Sequence, residues 1–308
     1  MGHRAMVHRA VRYAEPGDLA DCLVPILDEA LRRSDAVSVA VDDRCRAALT
    51  DGLGGLAADV EWVDNTRPAR VDAFQLVARR AALVTEQARR GRASVFVGQN
   101  QPALGLPDDY WLRLEAAVQF AFADLPVLLL CPYPSDAPAL AGVHPEIVAD
   151  GVLVENPRTR APESIVTGMP VAPLPDLGRP DVRLPVTTDT LTDMRQRLAA
   201  VLGDAGLPPG MAGDLVYAVS EVATNSIEHG PGWGAVSVWS RDGDVVCEVA
   251  DSGRLDEVFP GVRPPSLDQA RGRGLWLART LCDAVDTAVD DDGTRVRLTC
   301  DRVVHEFV

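Results

Sequence analysis

Apolar positions in the first half of the chain fall in short runs separated by longer amphipathic stretches. Ala36–Val41, Val60–Val63, Ala93–Val97 and Val127–Cys131 are brief and rich in β-branched residues, as buried strands are. Between them, Asp18–Arg33 and Asp72–Arg90 carry apolar residues at helical spacing, with Leu19, Leu23, Ile26, Leu27 and Ala30 on one side of the first. Such alternation predicts βαβ units in an α/β domain, with a mainly parallel sheet and helices on both faces.

The pattern changes near Asp181. A strand near Val182–Val186 is followed by helices over Thr190–Leu202 and Met211–Glu228. Ala235–Ser240 and Val245–Ala250 flank Arg241-Asp242-Gly243-Asp244, whose Asp-Gly pair predicts a hairpin turn. After a proline-containing loop, a helix from about Gly274 to Ala284 precedes two strands joined at Asp290–Gly293. This order predicts an α+β sandwich with helices on one face of a mixed sheet. Seven of the 23 prolines lie between Pro157 and Pro185. Proline lacks an amide donor and disfavours helix before it, so an extended linker is expected there. The expected division is residues 1–155, a linker over 156–180, and residues 181–308.

Composition narrows the chemistry. The 308 residues suffice for two cores, and 47% hydrophobic with 24% charged residues describes an ordinary globular protein. A formal net charge of −15 argues against general binding to nucleic acid or anionic membrane. All 30 basic residues are arginines, which excludes a Schiff-base lysine or a phosphate-loop lysine. The six cysteines form no C-x-x-C pair and are read as buried reduced thiols. The longest apolar run is too short to span a bilayer and no signal-peptide pattern opens the chain, so a cytoplasmic location is expected.

Three segments of the second half carry chemistry. Glu221 and Asn225, in Glu221-Val-Ala-Thr-Asn225-Ser-Ile-Glu228-His229-Gly230, lie one helical turn apart and face the same way. A carboxylate there is able to activate a hydroxyl, and a carboxamide oxygen suits magnesium. Gly230 is the expected C-cap. Asp251-Ser252-Gly253 follows a strand, where a carboxylate accepts a hydrogen bond from an adenine amino group and glycine lets the base approach. Arg271-Gly272-Arg273-Gly274 opens a helix, offering backbone amides, a favourable dipole and two arginines to an anion. Singly, each also reads as a polar helix face, an ordinary turn or a chance cap.

In order and spacing these segments resemble the N, G1 and G2 boxes of the GHKL (Bergerat-type) ATP-binding fold. Gly293-Thr294 is similar to that fold's last Gly-Thr step. The likeness covers nearly all of Asp181–Arg302 and is nearest to the anti-sigma-factor serine kinases. It implies ATP and Mg2+ as cofactors. Glu221 would be the base for a partner's serine and Asn225 the metal ligand. Asp251, Gly253 and Thr294 would be the adenine site, and Gly272 and Gly274 the phosphate-binding amides. Arg271, Arg273 and Arg254 are added as phosphate partners. One departure is Leu255, where the G1 box normally has its second glycine; it makes kinase turnover less secure than nucleotide binding.

The first half also resembles a known family. His8–Tyr13, Leu23–Leu27, Phe120–Asp124 and Leu130-Cys131-Pro132-Tyr133 are similar to the MEDS sensory domain, whose scaffold is related to RecA-like ATPases. No G-x-x-x-x-G-K-[ST] loop is present, so no ATP hydrolysis is expected there. Gly98-Gln99-Asn100 and Leu114-Glu115 depart from the relatives' Gly-Glu-Pro and His-Glu. His8 and Tyr133 are read as pocket or core residues.

Together the two likenesses imply a switch protein. It would sense an unidentified small molecule and bind a sigma factor or its antagonist, phosphorylating the antagonist on serine. A nucleotide-gated binding module without kinase activity is the alternative. A sensor histidine kinase fits less well, because neither His144 nor His229 lies on a dimerisation helix. A second copy of the chain is a further candidate partner.

Overall fold

The computed structural model describes residues 6–63, 72–99, 105–135, 142–149, 151–170, 173–241, 243–265 and 273–302. The chain divides into two compact units, Met1–Ala73 with Arg80–Thr167, and Phe74–Arg79 with Gly168–Val308.

The first unit is built on β1 (Val7–Tyr13), α1 (Pro16–Arg32), β2 (Ala36–Ala40), α2 (Asp43–Leu53), β3 (Glu61–Trp62), α3 (Ala73–Arg89, apart from Phe74–Arg79), β4 (Ser94–Gly98), α4 (Asp108–Ala121), β5 (Val127–Pro134), β6 (Glu146–Ala149), β7 (Val152–Glu155) and α5 (Pro162–Val166). Its seven strands run in the order β3-β2-β4-β5-β1-β6-β7. All neighbours are parallel except β6 and β7. α1 forms where the heptad-like spacing predicts, and Leu19, Leu23, Leu27 and Ala30 are fully buried. Pro16 opens it, and the Asp18 carboxylate accepts the Glu15 amide at 2.9 Å, completing the cap. Asp42 caps α2 by accepting the Cys45 amide at 2.8 Å.

β1 was not among the expected strands. Its sequence, VHRAVRY, mixes cationic and apolar residues, yet it lies between β5 and β6. The sheet tolerates this because Arg9 meets Glu146 at 2.7 Å and His8 is buried against polar side chains. Helices α2 and α4 also went unanticipated. The expected extended linker contains a turn of helix, α5, with Pro162 in its first turn and Ile165 and Val166 buried. Proline at that position loses no helical hydrogen bond.

The second unit holds β8 (Val182–Val186), α6 (Leu191–Asp204), α7 (Pro209–Glu228), β9 (Gly234–Ser240), β10 (Asp244–Asp251), α8 (Gly274–Leu281), β11 (Ala284–Asp290) and β12 (Gly293–Asp301). Its sheet runs β11-β12-β10-β9-β8 with every neighbour antiparallel. One core joins helices to sheet: Met194 and Leu198 of α6, Leu215 and Val219 of α7, Ala278 of α8, and Val236, Val249 and Leu298 beneath them. Across β10 and β12, Arg297 forms an ion pair with Glu248 at 2.7 Å and donates to the Pro175 carbonyl at 2.9 Å. Trp239 donates to the Gly178 carbonyl at 3.1 Å. The end of the proline-rich stretch is thus fastened to this sheet.

Two local expectations change. α8 stops at Leu281, before the expected Ala284, because Asp283 already donates its amide across to the Thr299 carbonyl at 2.9 Å. Gly230 is not a left-handed cap. His229 closes α7 in right-handed geometry, and the positive φ, 88°, belongs to Gly232. No helix among the described residues is long and apolar enough to cross a membrane.

Candidate functional site

A cleft open to solvent at its mouth lies in the second unit. One wall is a stripe of α7: Val222, Asn225, Ser226 and His229 recur at helical spacing and all line it. Asp251, Thr294 and Val296 come from β10 and β12, Leu275 from α8, and Arg254 and Leu255 from the loop after β10.

The strand-end carboxylate is held firmly. Asp251 Oδ2 accepts the Ser226 hydroxyl at 2.5 Å, and Oδ1 accepts the Gly253 amide at 2.7 Å. Each oxygen keeps a further lone pair for a ligand donor. Thr294 pairs in register with Asp251 and donates its hydroxyl to the Gly253 carbonyl at 2.9 Å. Gly293 makes this possible. Its φ is 129°, and a Cβ there would lie 2.0 Å from the Asp251 carbonyl oxygen, so no other residue fits.

The metal-suited residues meet the anion-suited ones at the start of α8. A Cβ on Gly274 would come within 3.1 Å of both Asn225 Nδ2 and Glu221 Cβ. The absent side chain lets the helix start lie directly on the Glu221–Asn225 face of α7. The N-cap residue makes no side-chain cap hydrogen bond to α8, and the first amides of a helix favour an anion. Arg273 is the residue at that cap. Arg254 stands exposed at the rim, 3.9 Å from Asp256. Arg271 and Gly272 lie outside the described residues.

Of the sequence-predicted site residues, then, Asn225, Asp251 and Thr294 line one cleft, Gly253 and Gly274 border it, and Glu221 lies one turn before Asn225. The residues suit the implied groups. Asn225 offers a hard oxygen for magnesium, which needs few protein ligands, and the α8 amides and arginines offer partners for phosphates. Ser226 was given no role from sequence, although its spacing from Val222 was a signal for this wall. Leu255, the departure in the Asp-Ser-Gly motif, supplies apolar surface to the cleft.

In the first unit, His8 and Tyr133 are both buried and converge on the buried Glu115. Gln99 is likewise buried: its Oε1 accepts the Asp42 amide at 2.6 Å, and its Nε2 donates to Tyr13 at 2.6 Å and to Asp42 at 2.7 Å. Asn100 lies outside the described residues.

Among solved structures, the chain is similar to the RsbU and RsbW domains of Rv1364c from Mycobacterium tuberculosis. That match has 23% identity and a TM-score of 0.30, and covers 40% of this chain and 33% of that one, about a third of the other protein's length. Two family descriptions match: "MEDS: MEthanogen/methylotroph, DcmR Sensory domain" over residues 7–145, and "Histidine kinase-like ATPase domain" over residues 184–300. The chain therefore carries a MEDS sensory domain followed by a histidine kinase-like ATPase domain.

Proposed function

We propose that the second unit binds Mg2+-ATP and acts as an anti-sigma-factor-type serine kinase under control of the first. The observation that carries this reading is the meeting of Asn225, Asp251 and the start of α8 around one cleft. When bound, ATP would supply the transferable phosphoryl group and Mg2+ would neutralise its charge. Asp251 would accept from the adenine amino group while Ser226 and Gly253 hold it in place. Gly253 and Thr294 would set the floor under the base. Asn225 would ligate the metal. Gly274 and Gly272 would turn amides toward the phosphates, with Arg271, Arg273 and Arg254 supplying the charge that lysine supplies elsewhere. Glu221 would accept the proton from a serine hydroxyl of the partner.

The partner class follows from the family resemblance: a sigma factor, its antagonist, or both, with the antagonist as phosphoryl acceptor. In the first unit the strand order and the single antiparallel edge strand support a RecA-like scaffold, and the match to the MEDS family supports a sensory role. Its signal would be a small molecule. The presence of Leu255 keeps a second reading in play, a nucleotide-gated binding module that transfers no phosphate. Incubating the full chain with labelled ATP and an antagonist protein separates the two. Phosphoserine on the antagonist, lost in Glu221→Ala with ATP affinity retained, is the expected result. ATP binding without transfer in the wild type selects the second reading, and no ATP binding at all removes both.

A further inference from the structure

Four side chains that sequence order scatters come together inside the first unit. His8 from β1, Glu115 from α4, Cys131 from β5 and His144 from the segment before β6 each present a ligand-type atom, and these atoms all lie within 4.8 Å of one another. All four residues are buried. His8 Nε2 is 3.1 Å from Glu115 Oε2 and 3.3 Å from Cys131 Sγ, while Glu115 Oε2 is 3.5 Å from Cys131 Sγ and 3.4 Å from His144 Nε2. An ion held tetrahedrally by bonds of about 2.1 Å has ligand atoms about 3.4 Å apart along each edge. Four of the six separations, 3.1–3.5 Å, bracket that value, and the other two are within 4.8 Å.

The hydrogen bonding around the cluster points the same way. Gln119 Oε1 lies 2.8 Å from His8 Nδ1. The neutral tautomer with its proton on Nδ1, toward that oxygen, is the one that would turn the Nε2 lone pair inward to a metal. Tyr133 donates to Glu115 Oε1 at 2.8 Å, which leaves Oε2 aimed at the centre. His144 Nε2 is buried, faces Oε2, and makes no hydrogen bond. Nitrogen, oxygen and sulfur ligand atoms thus converge on one point, with the Cys131 thiol donating to Glu115 Oε2. Once that thiol is deprotonated, a thiolate beside a carboxylate in a low-dielectric interior calls for a positive centre between them.

We propose that these four residues form a binding site for a divalent transition-metal ion, of which Zn2+ fits best. One thiolate, two imidazoles and one carboxylate are the ligand types zinc takes, whereas magnesium or calcium would call for oxygen throughout. Gln119 and Tyr133 are positioning residues. They orient His8 and Glu115, the role outer hydrogen bonds play around bound metals. Binding requires Cys131 to lose its thiol proton to solvent, so loading is favoured as pH rises. The site is independent of the nucleotide reading and stands or falls without it.

The test uses the full chain, stripped with chelator and titrated with Co2+ as a spectroscopic stand-in for Zn2+. One equivalent should produce visible bands of tetrahedral cobalt and a near-ultraviolet thiolate-to-cobalt band, and Zn2+ should displace both. Cys131→Ser should abolish the thiolate band. Gln119→Leu keeps all four ligands and should weaken Co2+ binding about 10- to 100-fold. Metal bound at the magnesium-suited residues of the other unit would show no thiolate band. Wild-type protein that yields no such band, or a band that survives Cys131→Ser, overturns the proposal. The cluster would then be held by a proton alone.

Discussion

Replacing Asp251 by asparagine changes one atom and tests the nucleotide reading directly. The carboxylate accepts from Ser226 Oγ and from the Gly253 amide, one bond per oxygen. In the variant the carboxamide oxygen stays with Gly253, whose amide has no alternative orientation. The new NH2 turns to Ser226, whose hydroxyl rotates to accept it. The fold therefore survives, at an expected cost of about 1 kcal/mol. An incoming adenine amino group, however, now meets one neutral acceptor and a competing donor in place of a charged carboxylate. Hydrogen bonds to charged groups contribute about 1.5–3 kcal/mol, so ATP affinity should fall about 10- to 150-fold. Calorimetry with Mg2+-ATP on the full chain measures this, with thermal melting alongside to confirm folding. Ser226→Ala and the double variant complete a cycle, and a non-zero coupling is expected because the two side chains share a bond. If Asp251→Asn binds ATP within twofold of wild type, the adenine assignment is wrong.

Two further outcomes follow from local geometry. Gly274→Val drives a branched side chain into Asn225 and Glu221, so it should cost about 1–3 kcal/mol and weaken Mg2+-ATP binding together; unchanged binding in calorimetry would show that α8 does not approach the ligand. Burial alone would raise the Asp42 carboxyl, but hydrogen bonds from Cys45, Gln99 and the Arg44 amide hold it below the ordinary value. A lowered folded-state value means stability that is complete above the unfolded value near about 4 and is lost as pH falls through the folded one. Asp42→Ala should therefore lose about 1 kcal/mol at neutral pH in urea unfolding, with the gap to wild type closing below about pH 4; a gap that persists there would refute the cap's charge dependence.

What the sequence revealed depended on whether the signal was local. Asn225, Asp251 and Gly274 announced themselves because each sits in a short motif whose chemistry acts through its own helix turn or strand end. Gly243, with a φ of 91°, stands between β9 and β10 for the same reason. β1 stayed hidden, since Arg9 and Arg12 break the apolar run and only Glu146, far along the chain, explains why Arg9 is accommodated. Ser226 lay inside a motif, yet its purpose appears only once β10 brings Asp251 beside it. The His8–Glu115–Cys131–His144 cluster is the extreme case. Scattered cysteines were read as bland thiols, and no spacing rule joins four residues from four separate segments.

Gly293 carries a consequence for anyone wishing to re-engineer nucleotide choice. The Asp251 carbonyl sits where its side chain would begin, so this junction beside Asp251 is main chain and cannot be carved or padded by substitution. Room for an enlarged purine analogue has to be cut elsewhere, and Leu255 is the bulky apolar side chain facing the cleft from the loop after β10. Shortening it would open a notch while leaving Asp251 and its two hydrogen bonds in place. On the proposed nucleotide reading, the pocket would thus separate the part that holds the base from the part that is free to vary in shape.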